Sequence, residues 1–535
     1  MRSQYCSCRI STNLLCILLI CIFFVSKTDA TTNNSKESNP KIRIGVIQHF
    51  GKDDSQNINI QSSKKGEKLE LIFPRSPRSQ DLNDFQRQLL SKIEINTNYL
   101  PLQQNQVETT KVIAGTYRTY ETASYWADLL RQSLPNYEWI TLYSDPWEVV
   151  TYSPTPMKTM SELNGRSYKA SWIKEVKSRD RVLQWEASSL IGEKLNPQIH
   201  FKFNRSRLLV RSPSNRPIKV NNRLYPGTIE VIPDSFGTFS VVNEVKLEDY
   251  LRGVVPYEVG HDAPKSALET QAILARTYTM ANLNRFTPEN YNLCASQHCQ
   301  VYRGIGAASP TIDQAIRNTS GLVLKNTNGS IAQIYYYSTD GGFSADYTDV
   351  WPSINLNQVK HLSGVSTCSK LPKKFDLSIE SDARLFLTDE NAKNWGCYDS
   401  VSPAFRWEKN YSLSQLTDKM KEAQERWKFS WPEFDKVKNI LVNKRNRTGR
   451  VTEILVITDE GEFTVELDEI RAALGGLRST FFVILRDENN LKIKGGGYGH
   501  SVGLSQYGAR NLAAKGKSYQ DILSLYFPYF KIDRL

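Results

Sequence analysis

A single hydrophobic core stops growing at roughly 250–300 residues, so a chain of 535 residues with no internal repeat must divide its apolar residues among two to four cores. Its ordinary mix of 40% hydrophobic and 23% charged residues excludes a wholly disordered, collagen-like or multispanning membrane chain. The first thirty residues are of another kind. Arg2 and Arg9 precede the apolar run Leu14 to Val25, and the segment closes on Ala30 with Thr28 two before it. This is a secretory signal with a cleavage site after Ala30, or an uncleaved anchor whose apolar core is shorter than the ~20 residues that span a bilayer comfortably. Both readings put the bulk of the chain outside the cytoplasm, with contact to a membrane only through an uncleaved signal.

Export sets the reading of the cysteines. Cys6, Cys8, Cys16 and Cys21 lie in the leader, and Cys294, Cys299, Cys368 and Cys397 remain. Four thiols in an oxidising compartment pair in one of three ways, and the local pairing, Cys294 with Cys299 and Cys368 with Cys397, is preferred. Arg2, Arg9 and Lys27 against Asp29 account for +2 of the net +12, which leaves +10 on the remainder. Such a charge suits anionic surfaces such as cell-wall polymers or lipid headgroups, and it equally serves plain solubility. No dense Lys/Arg run marks a nucleic-acid groove.

Residues 31–106 read as a polar tether, "TTNNSKESNP", followed by a strand, "KIRIGVIQHF", that turn-formers interrupt. Residues 107–174 have a βαβ-like order: "KVIAGTY" as strand, "ETASYWADLLRQSL" as helix, then "EWITLY" and "WEVVTYS" as strands. The unit resembles a SPOR-type repeat, a small domain that binds glycan strands stripped of peptides; a generic α+β accessory module is the competing reading. Short strands separated by Asn, Pro and Gly turns run from Pro197 to Val245. Asp262 and Pro264 then predict a helix start by N-cap and N1 preference, with Leu268, Ala272, Ala275 and Thr279 as its stripe. Near the end, a helix is predicted from Val502 to Gly516, and Ser518 with Asp521 forms a capping pattern for "YQDILSLYF".

Several chemistries fall away. "GGGYGHSVG" places Val502 where a dinucleotide fingerprint needs its third glycine, and neither a Walker sequence nor G-x-S-x-G occurs. Paired thiols make a cysteine nucleophile improbable. Glu258 is different. It stands among Val254, Val255, Pro256 and Val259, an apolar setting that would favour its protonated form. A carboxyl group that keeps its proton near neutral pH can act as a general acid; the plain alternative is an acidic residue at a helix N-terminus.

The motifs "VNEVKLEDYLRGVVPYEVGHDAPKSALETQAILARTYTMANL", "LCASQHCQVYRG", "TSGLVL", "IYYYSTDGGFSADYTDVW", "HLSGVSTC" and "GGGYGHSVGLSQYGARNLAAKGKSYQDILSLYFPYF" together resemble the SpoIID/LytB family of stage II sporulation protein D and the amidase enhancers. The resemblance covers residues 245–535, and the domain is taken to begin at 197. It implies an α+β, β-rich catalytic domain with a prominent helix after the catalytic Glu, beside the small α+β accessory domain. It further implies a lytic transglycosylase of peptidoglycan glycan strands with Glu258 as acid and then base. A non-catalytic wall-binding protein that enhances an N-acetylmuramoyl-L-alanine amidase is the alternative, and that amidase would be a partner.

From its own surroundings in "QAILARTYTMA", Arg276 is either a buried partner of a carboxylate or a substrate clamp, and is expected to position Glu258 or the sugar, with Tyr278 on the same helix and Gln271 as a groove hydrogen-bonder. Ser338 and Gly342 are expected in a turn that lets a sugar approach closely, and His500, Ser505 and Gln506 in a glycine-backed turn facing the ligand. Cys294, His298 and Cys299 are either part of a zinc site, as in some members, or a disulfide with a neighbouring His. The further upstream histidine those members use is missing from "RFTPENYN". No cofactor is required for the expected reaction.

Overall fold

The computed structural model describes residues 39–535 apart from 52–56, 75–84, 91, 102–109, 154, 166–170, 175–180, 192–193, 197–202, 205–206, 237, 372–374, 390–394 and 488–489. The leader, its cleavage site and all of the polar tether but Asn39 and Pro40 lie outside the described residues. Among these, no helix is long and apolar enough to cross a membrane.

The fold is mixed α+β. The expected strand Lys41–Phe50 lies in a seven-stranded sheet, antiparallel to Phe239–Lys246 and parallel to Leu293–Cys294. Its neighbours on the far side are Thr228–Pro233, Leu208–Arg211, Leu69–Pro74 and Phe85–Leu90. A second sheet contains Asn57–Ser62, Lys92–Pro101 and Arg181–Ile191. The strand Lys41–Phe50 thus pairs with a strand about two hundred residues further along the chain, while Leu69–Pro74 and Phe85–Leu90 return to the far edge of the same sheet in between.

Alternating burial along these strands feeds one core with the helix Lys265–Ala281. That helix is buried on nearly every side, from Ala267 to Thr279, rather than along the single stripe predicted. Alanines and threonines make this possible. Thr270, Thr277 and Thr279 return their hydroxyls to carbonyls one turn back, which satisfies polar groups that water cannot reach. The predicted N-cap is displaced, since the helix begins at Lys265 with Pro264 in the cap position. Asp262 is bound instead by Arg510.

Residues Thr110–Tyr117, Ile140–Tyr143, Trp147–Tyr152 and Ser171–Lys174 form a four-stranded sheet with the helix Tyr120–Ser133 against it. Thr119 caps that helix. Its apolar face shares a core with Ile232, Val242, Phe286 and Tyr291 of the main body. Toward the C-terminus, two three-stranded sheets and the helix Leu413–Trp427 enclose a further core around Leu416, Met420, Val437 and Phe482.

Cys294–Cys299 and Cys368–Cys397 are disulfides, the local pairing expected. The last long turn differs from its prediction. Leu504–Ser505 pairs with Tyr336–Tyr337 as a short parallel bridge, so the helix starts at Gln506, with Ser505 accepting from the Gly508 amide as its cap. Gly516 follows the helix at φ +81°, and the capping box of Ser518 and Asp521 is present.

Candidate active site around Glu258

Glu258 occupies the short helix Val255–Val259 and lines a cavity of about 210 Å³ together with Tyr278, Val301, Tyr336 and His500. Its Oε1 accepts the Val301 backbone N–H at 2.7 Å, and its Oε2 accepts the Gln506 side-chain N–H at 3.1 Å. Burial raises its pKa, and these two hydrogen bonds oppose the rise without cancelling it. The carboxyl therefore keeps its proton to higher pH than an ordinary glutamate.

Both donors are fixed by their own anchors. On either side of Val301, Gln300 and Tyr302 are wholly buried. Gln300 donates to Thr279 Oγ1 at 2.9 Å and accepts from the Tyr336 hydroxyl at 2.8 Å, while Tyr302 donates to Asn243 at 2.7 Å. The amide between two such pegs has nowhere to move. Gln506 is the first residue of the helix capped by Ser505, whose hydroxyl also reaches the Ser338 carbonyl.

Two glycine turns back this arrangement. Gly341 has φ +76°, and a Cβ there would lie 2.7 Å from the Gly496 backbone. Only glycine reconciles that conformation with that approach. Beneath the turn, Asp399 accepts from the amides of Asp340 and Gly341 at 2.9 and 2.8 Å, and Asp340 accepts from Thr367. Burial and the neighbouring Asp399 hold the Asp340 carboxyl well above the usual range.

The structure brings Glu258, Tyr278, His298, His500 and Gln506 together and separates the rest. Arg276 is fully buried and bound to Glu248 at 2.7 and 2.9 Å and to the Leu322 carbonyl at 2.8 Å. It neither positions Glu258 nor reaches the cavity. Gln271 is buried against Tyr336 rather than in the cavity wall. Gly342 faces a disulfide, since a Cβ on it would lie 2.8 Å from Cys368 Sγ. Ser338 and Ser505 hold the start of the last long helix and do not line the cavity.

Tyr278 accepts from Arg285 at 3.0 Å, and burial pushes its hydroxyl up to about 12. His500 packs against Tyr335, Tyr337 and Trp351; burial and Arg471 pull it down to about 3, so it is neutral. The zinc alternative does not fit. Cys294 and Cys299 are joined to each other, and a cystine offers no thiolate to a metal. Among the described residues, no group of three or more His, Cys, Asp or Glu is arranged to hold an ion.

Sequence reasoning missed the opposite wall. Tyr120 and Glu121, from the helix Tyr120–Ser133, line the same cavity. Arg285 ties them to the body: it donates to Glu121 at 3.1 Å and lies 4.3 Å from the centre of the Tyr120 ring. Nothing local marks this contact, because its partners are 164 residues apart.

Residues 235–325 match the family described as SpoIID, Stage II sporulation protein, and residues 345–503 match a Domain of unknown function (DUF8618). The amidase enhancer of Bacillus subtilis is 30% identical over an alignment of 302 residues that covers 52% of this chain and 39% of that protein. Stage II sporulation protein D of the same organism is 23% identical over 325 residues, 56% of this chain and 79% of that one. An uncharacterized protein of Brachyspira hyodysenteriae is 26% identical over 311 residues, 58% of this chain and 72% of that one. The SpoIID match over residues 235–325 and the relatives named amidase enhancer and stage II sporulation protein D support the resemblance to the SpoIID/LytB family.

Proposed function

We propose that this protein acts on the cell wall as a lytic transglycosylase of peptidoglycan glycan strands, outside the cytoplasm. The observation that carries the reading is the Glu258 carboxyl, desolvated in a cavity yet held by two donors. Breaking a bond between N-acetylmuramic acid and N-acetylglucosamine requires a proton on the bridging oxygen, and a neutral carboxyl supplies it. The C1–O bond breaks with its electron pair going to the leaving sugar. The substrate's own 6-hydroxyl oxygen then bonds to C1, and the ionised Glu258 takes the hydroxyl proton. The products are a 1,6-anhydro end and a free 4-hydroxyl, with the acid regenerated.

One carboxyl performs both transfers, whereas the usual hydrolases require two. Glu121 lines the cavity as well, but it is engaged in an ion pair with Arg285. The test is mass spectrometry of digested peptidoglycan. Wild type should release anhydro-ended fragments, and Glu258→Gln should lower the rate by about 10²–10⁴-fold, the contribution of a general acid–base group. Reducing ends in place of anhydro ends would sink the proposal.

The name of the Bacillus subtilis relative, amidase enhancer, favours a second reading: a wall-binding protein that stimulates an amidase without cleaving glycan. In that case wild type and Glu258→Gln release no anhydro ends and stimulate the amidase equally.

A further inference from the structure

The cavity around Glu258 does not end at its own walls. A groove of about 990 Å³ adjoins it, and the two share Tyr120, Glu121, Arg285 and Tyr335. That volume lies at the upper end of the ~300–1,000 Å³ typical of ligand clefts. One side of the groove is the helix Tyr120–Ser133, which presents Ser124 and Tyr125; the other comes from the body, with Asn284, Thr327 and Asn357 exposed along it.

Its chemistry is selective. The charges in the lining offset one another, since Arg285 binds Glu121 and Arg131 binds Asp128. What remains is a wall rich in carboxamides and hydroxyls, interrupted by tyrosine rings. A phosphate-bearing polymer would find no uncompensated cation there. Polyhydroxyl chains with acetamido groups would find donors and acceptors for each unit, and flat apolar rings for the C–H faces of the sugars.

We propose that this groove is a saccharide-binding extension of the Glu258 cavity. It takes N-acetylated aminosugar units of the strand next to the cleavage point, and one side of it is supplied by the helix Tyr120–Ser133. This rests on the glycan reading of the cavity itself. The inserted unit is then a substrate-binding wall, and the Glu121–Arg285 pair sits at the threshold between the bond to be cut and the sugars that follow it.

The test separates binding from cleavage. In a Glu258→Gln background, isothermal titration measures peptide-free glycan oligomers, one of two sugars and one of eight. The longer oligomer should bind at least about tenfold tighter, equivalent to ~1.4 kcal/mol. Tyr125→Ala with Asn284→Ala should bring it to the affinity of the shorter one, and so should Thr327→Ala with Asn357→Ala, while both variants melt like their parent. A longer oligomer that gains nothing over the shorter, or keeps its gain in both variants, overturns the groove. Failure of the proposed reaction would show separately, as wild-type digests without anhydro ends.

Discussion

Glu248→Ala asks whether the arginine in mid-helix serves the substrate or the fold. Arg276 has no exposed surface, and three of its N–H groups are used, two on the Glu248 carboxylate and one on the Leu322 carbonyl. Removing the carboxylate leaves a guanidinium buried with one backbone acceptor. Breaking a buried pair this way costs about 3–5 kcal/mol, and the lower figure applies because the Glu248 side chain is 18% exposed. Unfolding entropy near 2.1 cal/mol/K per residue gives ~1 kcal/mol/K for a cooperative unit of some 500 residues, so Tm should fall by about 3 °C. Calorimetry on matched preparations reads this directly. Glu248→Leu combined with Arg276→Met should recover most of the loss, because replacing both members of a buried pair with apolar groups is near neutral. A KM for glycan that rises in Arg276→Met while Tm stays unchanged would refute the structural role and restore the clamp expected from sequence.

Three further outcomes follow from the site. The proposed reaction requires the protonated acid for its first transfer, and burial raises the Glu258 pKa, so kcat/KM should fall on the alkaline side at a pH above that of an ordinary glutamate; a limb at the ordinary carboxylate position would contradict the desolvated cavity. His500 stays neutral down to about 3 in the fold but takes a proton near 6.5 once unfolded, so it contributes stability above pH 6.5 that is lost as pH falls toward 3. In urea titrations, His500→Asn should flatten that loss, and an unchanged slope would count against a buried imidazole. Cys294→Ala with Cys299→Ala opens a six-residue loop, worth ~2 kcal/mol by the chain-entropy model. Because Cys299 lines the cavity and lies two residues before the Val301 amide, turnover should drop along with stability; full activity in the double variant would mean that the loop holds its shape without the bridge.

What could be read from sequence was what neighbouring residues decide. The apolar flanks of Glu258, the local disulfides, the strand Lys41–Phe50 and the capping box at Ser518 depend on a few consecutive positions, and each appears in the structure. Arg276 went astray because an arginine among small apolar residues announces that it needs a carboxylate but not which one. Glu248 and Glu258 both lie within thirty residues of it, and the helix phase that selects Glu248 depends on how Leu247–Leu251 docks. The displaced N-cap has a similar origin. Asp262 has the local pattern of a cap, but Arg510, 248 residues away, claims its carboxylate. Tyr120 and Glu121 look like any helix N-terminus until the unit that carries them folds over the body.

The single-carboxyl mechanism proposed for Glu258 would need more than a dry pocket. Burial alone would keep the glutamate protonated and make it a donor, but the second transfer needs the same group as a carboxylate able to accept the 6-hydroxyl proton. The Val301 amide and the Gln506 side chain stabilise that ionised form where water cannot. Neither donor comes from the helix that bears the glutamate. One is set by the pegs Gln300 and Tyr302, and the other by a helix whose start depends on Ser505 and the adjoining glycine turns. Desolvation is thus supplied by burial in the cavity wall, and its reversibility is supplied from 43 and 248 residues away. Gln506→Ala would remove one of the two groups that favour the ionised form while leaving the apolar surroundings intact. It should therefore slow capture of the 6-hydroxyl proton more than protonation of the leaving sugar.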